Sequence, residues 1–125
     1  MKFERSQWCE EAAEKILPLV YDRLQSGFIA SVNKGVFALW RVGGQDFETW
    51  LVTSMNYLDG GEVELRVECI AGKKSREIMA ELMQRSKMLG VNSIRFESHH
   101  SEKIVKRMAE PLGFERVAAI YRVDI

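Results

Sequence analysis

Val63-Glu64-Leu65-Arg66-Val67-Glu68-Cys69-Ile70-Ala71-Gly72-Lys73-Lys74-Ser75-Arg76-Glu77-Ile78-Met79-Ala80 changes its hydrophobic period part-way along. Up to Ile70 the apolar residues Val63, Leu65, Val67 and Cys69 alternate with Glu62, Glu64, Arg66 and Glu68. A period of two is that of a strand with one face buried. After Gly72, Ile78, Met79, Leu82, Met83, Ser86 and Leu89 form a helical stripe, recurring at three- and four-residue intervals. That period belongs to a helix, and Gly90 is its natural stop. Ser93 to Ser98 then reads as strand again. A strand–helix–strand crossover (Leu65–Ile70, Lys74–Leu89, Ile94–Glu97) predicts a parallel strand pair with the helix covering one sheet face.

Upstream of this unit, Asp59-Gly60-Gly61 marks a turn, and Phe47 to Ser54 reads as strand. Gly43-Gly44 marks another turn after the β-branched and aromatic run Val36 to Val42. These segments predict an antiparallel meander. At the start of the chain, Lys2 to Arg5 reads as a short edge strand or a loop, and Ser6 as a helix N-cap. Trp8, Ala12, Ile16, Leu19, Val20 and Leu24 carry helical spacing, with Pro18 kinking or dividing the segment and Gly27 ending it. Downstream, Ser101 is a candidate cap for a helix with Ile104, Val105, Met108 and Leu112 on its apolar side. Pro111 and Gly113 close that helix, and Val117 to Val123 is expected to be a last strand. The fold class is α+β: a mixed, mostly antiparallel sheet flanked by helices, in one domain over residues 1–125.

Composition narrows the function classes. Lys plus Arg equals Asp plus Glu at 18 each, so no global charge draws the chain to nucleic acid. No stretch approaches the ~18 apolar residues of a membrane span, and the N-terminus lacks a signal-peptide core. Cys9 and Cys69 stand far apart, with no Cys/His cluster for a metal; they are expected to be reduced thiols of a cytoplasmic protein.

The stretch Ile70 to Glu77 and the stretch Met108-Ala109-Glu110-Pro111-Leu112-Gly113-Phe114 together resemble the GNAT superfamily of acyl-CoA N-acyltransferases. The resemblance spans roughly Val36 to Ile125. In that family the strand before the main helix leads into a turn of the form Arg/Gln-x-x-Gly-x-Gly/Ala, whose backbone N–H groups hold the pyrophosphate of acetyl-CoA. Free amides at the positive end of a helix suit an anion. Gly72 matches the first small position of the turn, while Lys74 and Arg76 replace small residues and add positive charge. Leu112-Gly113-Phe114 matches the end of the family's fourth helix. Ala109 stands at the position of its tyrosine acid, and Glu102 at that of a common asparagine.

The resemblance implies acyl transfer from acetyl-CoA or a related thioester to an amine. It implies a cofactor site at Ile70, Gly72, Lys73, Lys74, Ser75 and Arg76. An amine acceptor needs a base, for which Glu68 and Glu97 are the candidates. The rival implication is a catalytically inactive member kept as a structural or interaction module with a protein partner. Small divergent proteins of that style include phage-encoded, virion-associated ones. His99 and His100, adjacent on an extended chain, point to opposite faces and read as a polar loop. Cys69 reads as core. Trp8, Trp40 and Trp50 read as buried or half-buried packing.

Overall fold

The computed structural model describes residues 1–98 and 102–125, apart from the side chain of Glu102. The chain begins with β1 (Lys2–Ser6), α1 (Glu10–Ile16), a 3-10 turn at Leu17–Leu19 and α2 (Asp22–Asn33). There follow β2 (Ala38–Gly43), β3 (Glu48–Tyr57), β4 (Val63–Ala71), α3 (Ser75–Met88), β5 (Ser93–Phe96), α4 (Glu102–Ala109) and a 3-10 turn at Glu110–Leu112. The strands form one sheet in the order β1-β2-β3-β4-β5. The first three pairings are antiparallel, and β4 with β5 is parallel. The meander and the crossover helix are therefore as the periodicity predicts.

Each sheet face carries its own core. On one, Ala12 and Ile16 of α1 and Val32 of α2 pack on Leu39, Trp50, Val52 and Ala71. On the other, Ile78, Met79 and Leu82 of α3 pack on Val42, Leu51, Leu65 and Val67. The central strand β3 is buried from Thr49 to Thr53 because it is covered on both sides. Trp50 is buried and Trp8 and Trp40 are half-buried. Pro18 divides the N-terminal helix, sitting in the 3-10 turn between α1 and α2.

Three local expectations are corrected. Ser6 is not a helix cap: it is the last residue of β1, opposite Leu39, and the cap position falls on Cys9. Strand pairing with β2 claims the serine backbone before a helix can begin. Gly27 does not end a helix, because α2 continues through it to Asn33. The packing of Phe28 and Val32 outweighs a glycine penalty of about 1 kcal/mol. The helix stops instead at Gly35, whose φ of 78° is open to glycine. Third, Val117 to Val123 is not a strand: residues 114–125 have no regular secondary structure, and Val117, Ile120, Tyr121 and Val123 are exposed. Alternation shows what a segment can do at a sheet edge; forming a strand also needs a neighbour to pair with. The expected cap Ser101 and the pair His99 and His100 lie outside the described residues.

Candidate functional site at the open end of the sheet

The site begins with a register shift. Val52 of β3 pairs with Cys69, but the next residue, Thr53, pairs with Val67. Glu68 is thus the extra residue of a β-bulge. The bulge changes the strand's alternation, correcting the single apolar face expected from Val63 to Cys69. Leu65 and Val67 pack on the α3 side, whereas Cys69 joins the α1–α2 side and Ile70 takes the α3 side. Burial pushes the Cys69 thiol up to about 11, which removes it as a nucleophile at neutral pH.

The bulge coincides with the end of the parallel pairing. The last β4–β5 pair is Val67 with Phe96. Among the described residues, β4 continues from Glu68 to Ala71 without a β5 partner. At ~3.3 Å per residue this leaves about 13 Å of strand edge open on that side. The open stretch runs into the turn at Gly72 and then the start of α3.

That turn is tightly constrained. Gly72 has φ +141°, and a Cβ there would lie 2.7 Å from Thr49 Oγ1, 3.0 Å from Thr49 Cα and 3.1 Å from the Glu48 carbonyl oxygen. The buried Thr49 hydroxyl donates to the Lys73 carbonyl at 2.6 Å, fixing the turn to β3. Lys74 takes the left-handed conformation (φ 66°, ψ 31°) at the N-cap of α3 and makes no side-chain cap hydrogen bond. A lysine in this region carries strain of order 1 kcal/mol or more. The Ile78 amide donates to the Lys74 carbonyl, so the amides of Ser75, Arg76 and Glu77 precede the intrahelical ladder.

The six residues expected to hold a cofactor divide by what their side chains do. Lys73 and Lys74 are exposed. Ile70 turns its side chain into the α3-side core, so only its backbone faces the open strand edge. The Ser75 hydroxyl lies 3.8 Å from Met108 Sδ. Arg76 Nη2 donates to the Arg107 carbonyl at 3.1 Å, anchoring α3 to the end of α4 instead of standing free.

The two expected bases meet through a residue that sequence reasoning passed over. Glu68 Oε1 accepts the Ser54 hydroxyl at 2.7 Å and lies 4.0 Å from Arg66 Nε. Glu97 Oε1 lies 3.7 Å from Arg66 Nη2 and 3.8 Å from Arg95 Nη2. Arg66 and Arg95 are opposite one another across β4 and β5. Glu68, Arg66, Glu97 and Arg95 form one charged strip where the strands part. The alternation places Arg66 beside Glu68, but the register that brings Ser54 and Arg95 to them is not written locally. Among the described residues no group of three or more His, Cys, Asp or Glu could hold a metal ion. Among the described residues no helix is long and apolar enough to cross a membrane.

Solved structures of acetyltransferases share this fold. The fold is the GNAT fold. A Trypanosoma brucei acetyltransferase is similar at 17% identity, covering 99% of this chain and 100% of its own, with a TM-score of 0.60. An aminoglycoside antibiotic 6'-N-acetyltransferase from Acinetobacter haemolyticus is similar at 10% identity, covering 100% and 98%, with a TM-score of 0.61. An aminoglycoside N-acetyltransferase in complex with CoA is similar at 13% identity, covering 99% and 100%, with a TM-score of 0.57. No protein-family model and no curated protein matches the sequence. At these identities the likeness is one of fold, shared across the length of the chain.

The half-buried Cys69 thiol gives a direct test. Raising a thiol from about 9 to about 11 lowers its thiolate fraction roughly 100-fold at neutral pH. Native Cys69 is therefore expected to react with iodoacetamide roughly 100-fold more slowly than it does in the denatured chain. The sign of the linked stability effect follows. Above pH 9 the unfolded chain loses this proton and the folded chain keeps it, so stability falls as pH rises from 9 to 11. The loss is at most about 2.7 kcal/mol. Urea melts of the wild type and Cys69→Ala should diverge across that window; parallel pH profiles would show that the thiol is not protected.

Proposed function

We propose that the protein binds an acyl-CoA at the open edge of β4 and transfers its acyl group to an amine. The observation that carries this reading is the stretch Glu68 to Ala71, which among the described residues has no partner on its β5 side and leads directly into an uncapped helix start flanked by Lys73 and Lys74. An extended pantetheine arm can hydrogen-bond along a free strand edge as another strand would. The pyrophosphate then meets the amides of Ser75, Arg76 and Glu77 and the two lysines. The known CoA complex of an aminoglycoside N-acetyltransferase with this fold supports the choice of donor.

The acyl carbon would lie near the bulge, with the acceptor over the charged strip. The amine nitrogen attacks the thioester carbonyl, a new C–N bond forms, and the C–S bond breaks as CoA thiolate leaves. Glu68 receives the proton that the nitrogen sheds, while Ser54 and Arg66 hold its carboxylate in position. Glu97, tied to both arginines, orients the strip. Ala109 is 6% exposed and offers no acid, so the thiolate takes its proton from solvent or leaves charged. That missing acid is the observation favouring the second reading, in which the fold serves only as a binding module.

Titration with acetyl-CoA by calorimetry and thermal shift tests the donor site. A rise in melting temperature is expected by mass action. Lys73→Glu plus Lys74→Glu is expected to weaken binding about 100-fold, since a charge-assisted hydrogen bond contributes roughly 1.5–3 kcal/mol. The absence of binding to the wild type would remove the acyl-CoA reading. Binding with no CoA thiol released across a panel of amines would leave the binding module.

A further inference from the structure

We propose that Arg66 and Arg95 hold a carboxylate of the acceptor, which makes the acceptor a free α-amino acid. The inference deepens the acyl-transfer reading of the charged strip and rests on it. Leu65 and Val67 of β4, and Ile94 and Phe96 of β5, turn to the α3 side of the sheet. Arg66 and Arg95 alternate with them, so their side chains stand on the other face. Neither they nor Ser54 join the core that α1 and α2 cover on that face. A polar patch of sheet therefore stays open beside the base Glu68.

The two guanidinium groups hold spare donors. Arg66 and Arg95 are opposite one another across adjacent strands, where like charges repel. The carboxylate oxygens nearest to them lie 3.7–4.0 Å from their nitrogens, beyond hydrogen-bonding reach. Neither guanidinium donates a hydrogen bond among the described residues. Other arginines of this chain differ. Arg41 donates to Glu11 at 2.7 Å, Arg76 to the Arg107 carbonyl at 3.1 Å and Arg85 to Glu81 at 3.0 Å. Both strip side chains are 38% exposed, so a ligand can reach them. Glu97 is shared between the pair, and Glu68 accepts the Ser54 hydroxyl at 2.7 Å. An incoming carboxylate would ease the repulsion and match the fork of N–H donors.

The base beside the pair decides the class of ligand. Arg66 Nε lies 4.0 Å from Glu68 Oε1. Two hydrogen bonds leaving those atoms side by side end about 4 Å apart or less. An amino and a carboxylate group on one carbon fit that span. A side-chain amine at the far end of a lysine does not, and a polyamine would meet two guanidinium groups and be repelled. The bond changes are those of the preceding subsection. The neutral amine's nitrogen forms the C–N bond, the C–S bond breaks, and Glu68 takes the proton, leaving an N-acyl amino acid and CoA thiolate.

The test offers the full chain acetyl-CoA with the standard amino acids, their α-amides and spermidine, and reads release of CoA thiol. One or more free amino acids are expected to be accepted, with kcat/KM about 10- to 100-fold lower for the matching amide. Arg95→Gln is expected to raise KM for the amino acid by a similar factor, far more than it raises KM for the amide. A merely structural role would move both alike. Arg95→Lys keeps the charge without the fork and should lose less. Calorimetry with the same amino acid, with and without saturating CoA, should show binding that Arg95→Gln weakens. Amides accepted as well as the free acids, or spermidine alone accepted, would overturn the inference and leave acyl transfer standing. So would the absence of amino-acid binding in a protein that binds acetyl-CoA. Amino-acid binding weakened by Arg95→Gln in a protein that does not bind acetyl-CoA would remove acyl transfer and keep the carboxylate site.

Discussion

Gly72→Val is expected to lower stability by roughly 3 kcal/mol and to abolish acyl-CoA binding. Two independent penalties fall on one atom. The backbone at φ +141° lies in a region that side chains rarely adopt, which costs about 1–3 kcal/mol. The new Cβ would also stand 2.7–3.1 Å from Thr49 and the Glu48 carbonyl. Two of those contacts are to backbone, in a strand covered on both faces, so relief requires the turn to move away from β3. Overpacking of this kind costs about 1–3 kcal/mol more. Moving the turn breaks the hydrogen bond from Thr49 to the Lys73 carbonyl and displaces the amides that would face the pyrophosphate. The result to look for is a melting temperature lower by ~10 °C or more. Acetyl-CoA should then fail to raise it even where the variant is folded. Thr49→Val is the milder companion, removing only the hydroxyl and costing about 1 kcal/mol. A Gly72→Val protein that melts like the wild type would mean that the turn is not held against β3 as described.

The second large effect is on rate. Glu68→Gln is expected to reduce kcat/KM about 100- to 1000-fold for whichever amine is turned over, the range typical of a removed general base. The change is nearly isosteric and Glu68 is half-buried, so the fold should be kept. Acetyl-CoA affinity should stay within about twofold, because the glutamate lies at the opposite end of the open strand from the turn at Gly72. Ser54→Ala removes a group that positions the carboxylate, so a smaller loss of about tenfold is expected. Its discriminating readout is a shift of the pH–rate profile, which a purely structural role would not produce. If Glu68→Gln keeps full activity while Glu97→Gln loses it, the base is Glu97 and the bulge serves only to part the strands.

The sequence by itself determined the kinds of element and their order. The change of period around Gly72 separates β4 from α3, paired glycines mark the hairpins, and Pro18 divides the first helical stretch. These signals are local: each is written in neighbours a few residues apart, where backbone and side-chain preferences act directly. The turn at Gly72 and the lysines beside it were legible for the same reason.

What only the tertiary structure decided was register. One residue of slip between β3 and β4 makes Glu68 a bulge and moves Cys69 to the opposite face from Val67, at the point where the described β5 pairing ends. No residue in β4 announces that slip, because it is set by which β3 atoms lie across the sheet. The union of Glu68 and Glu97 through Arg66, and the clasp of Thr49 on Lys73, join residues far apart in the chain. The C-terminal segment makes the same point in reverse. Its alternation is that of a strand, but a strand is completed by a neighbour's backbone, and among the described residues no strand pairs with it. Periodicity fixes what a segment can become; the position of its partners fixes what it is.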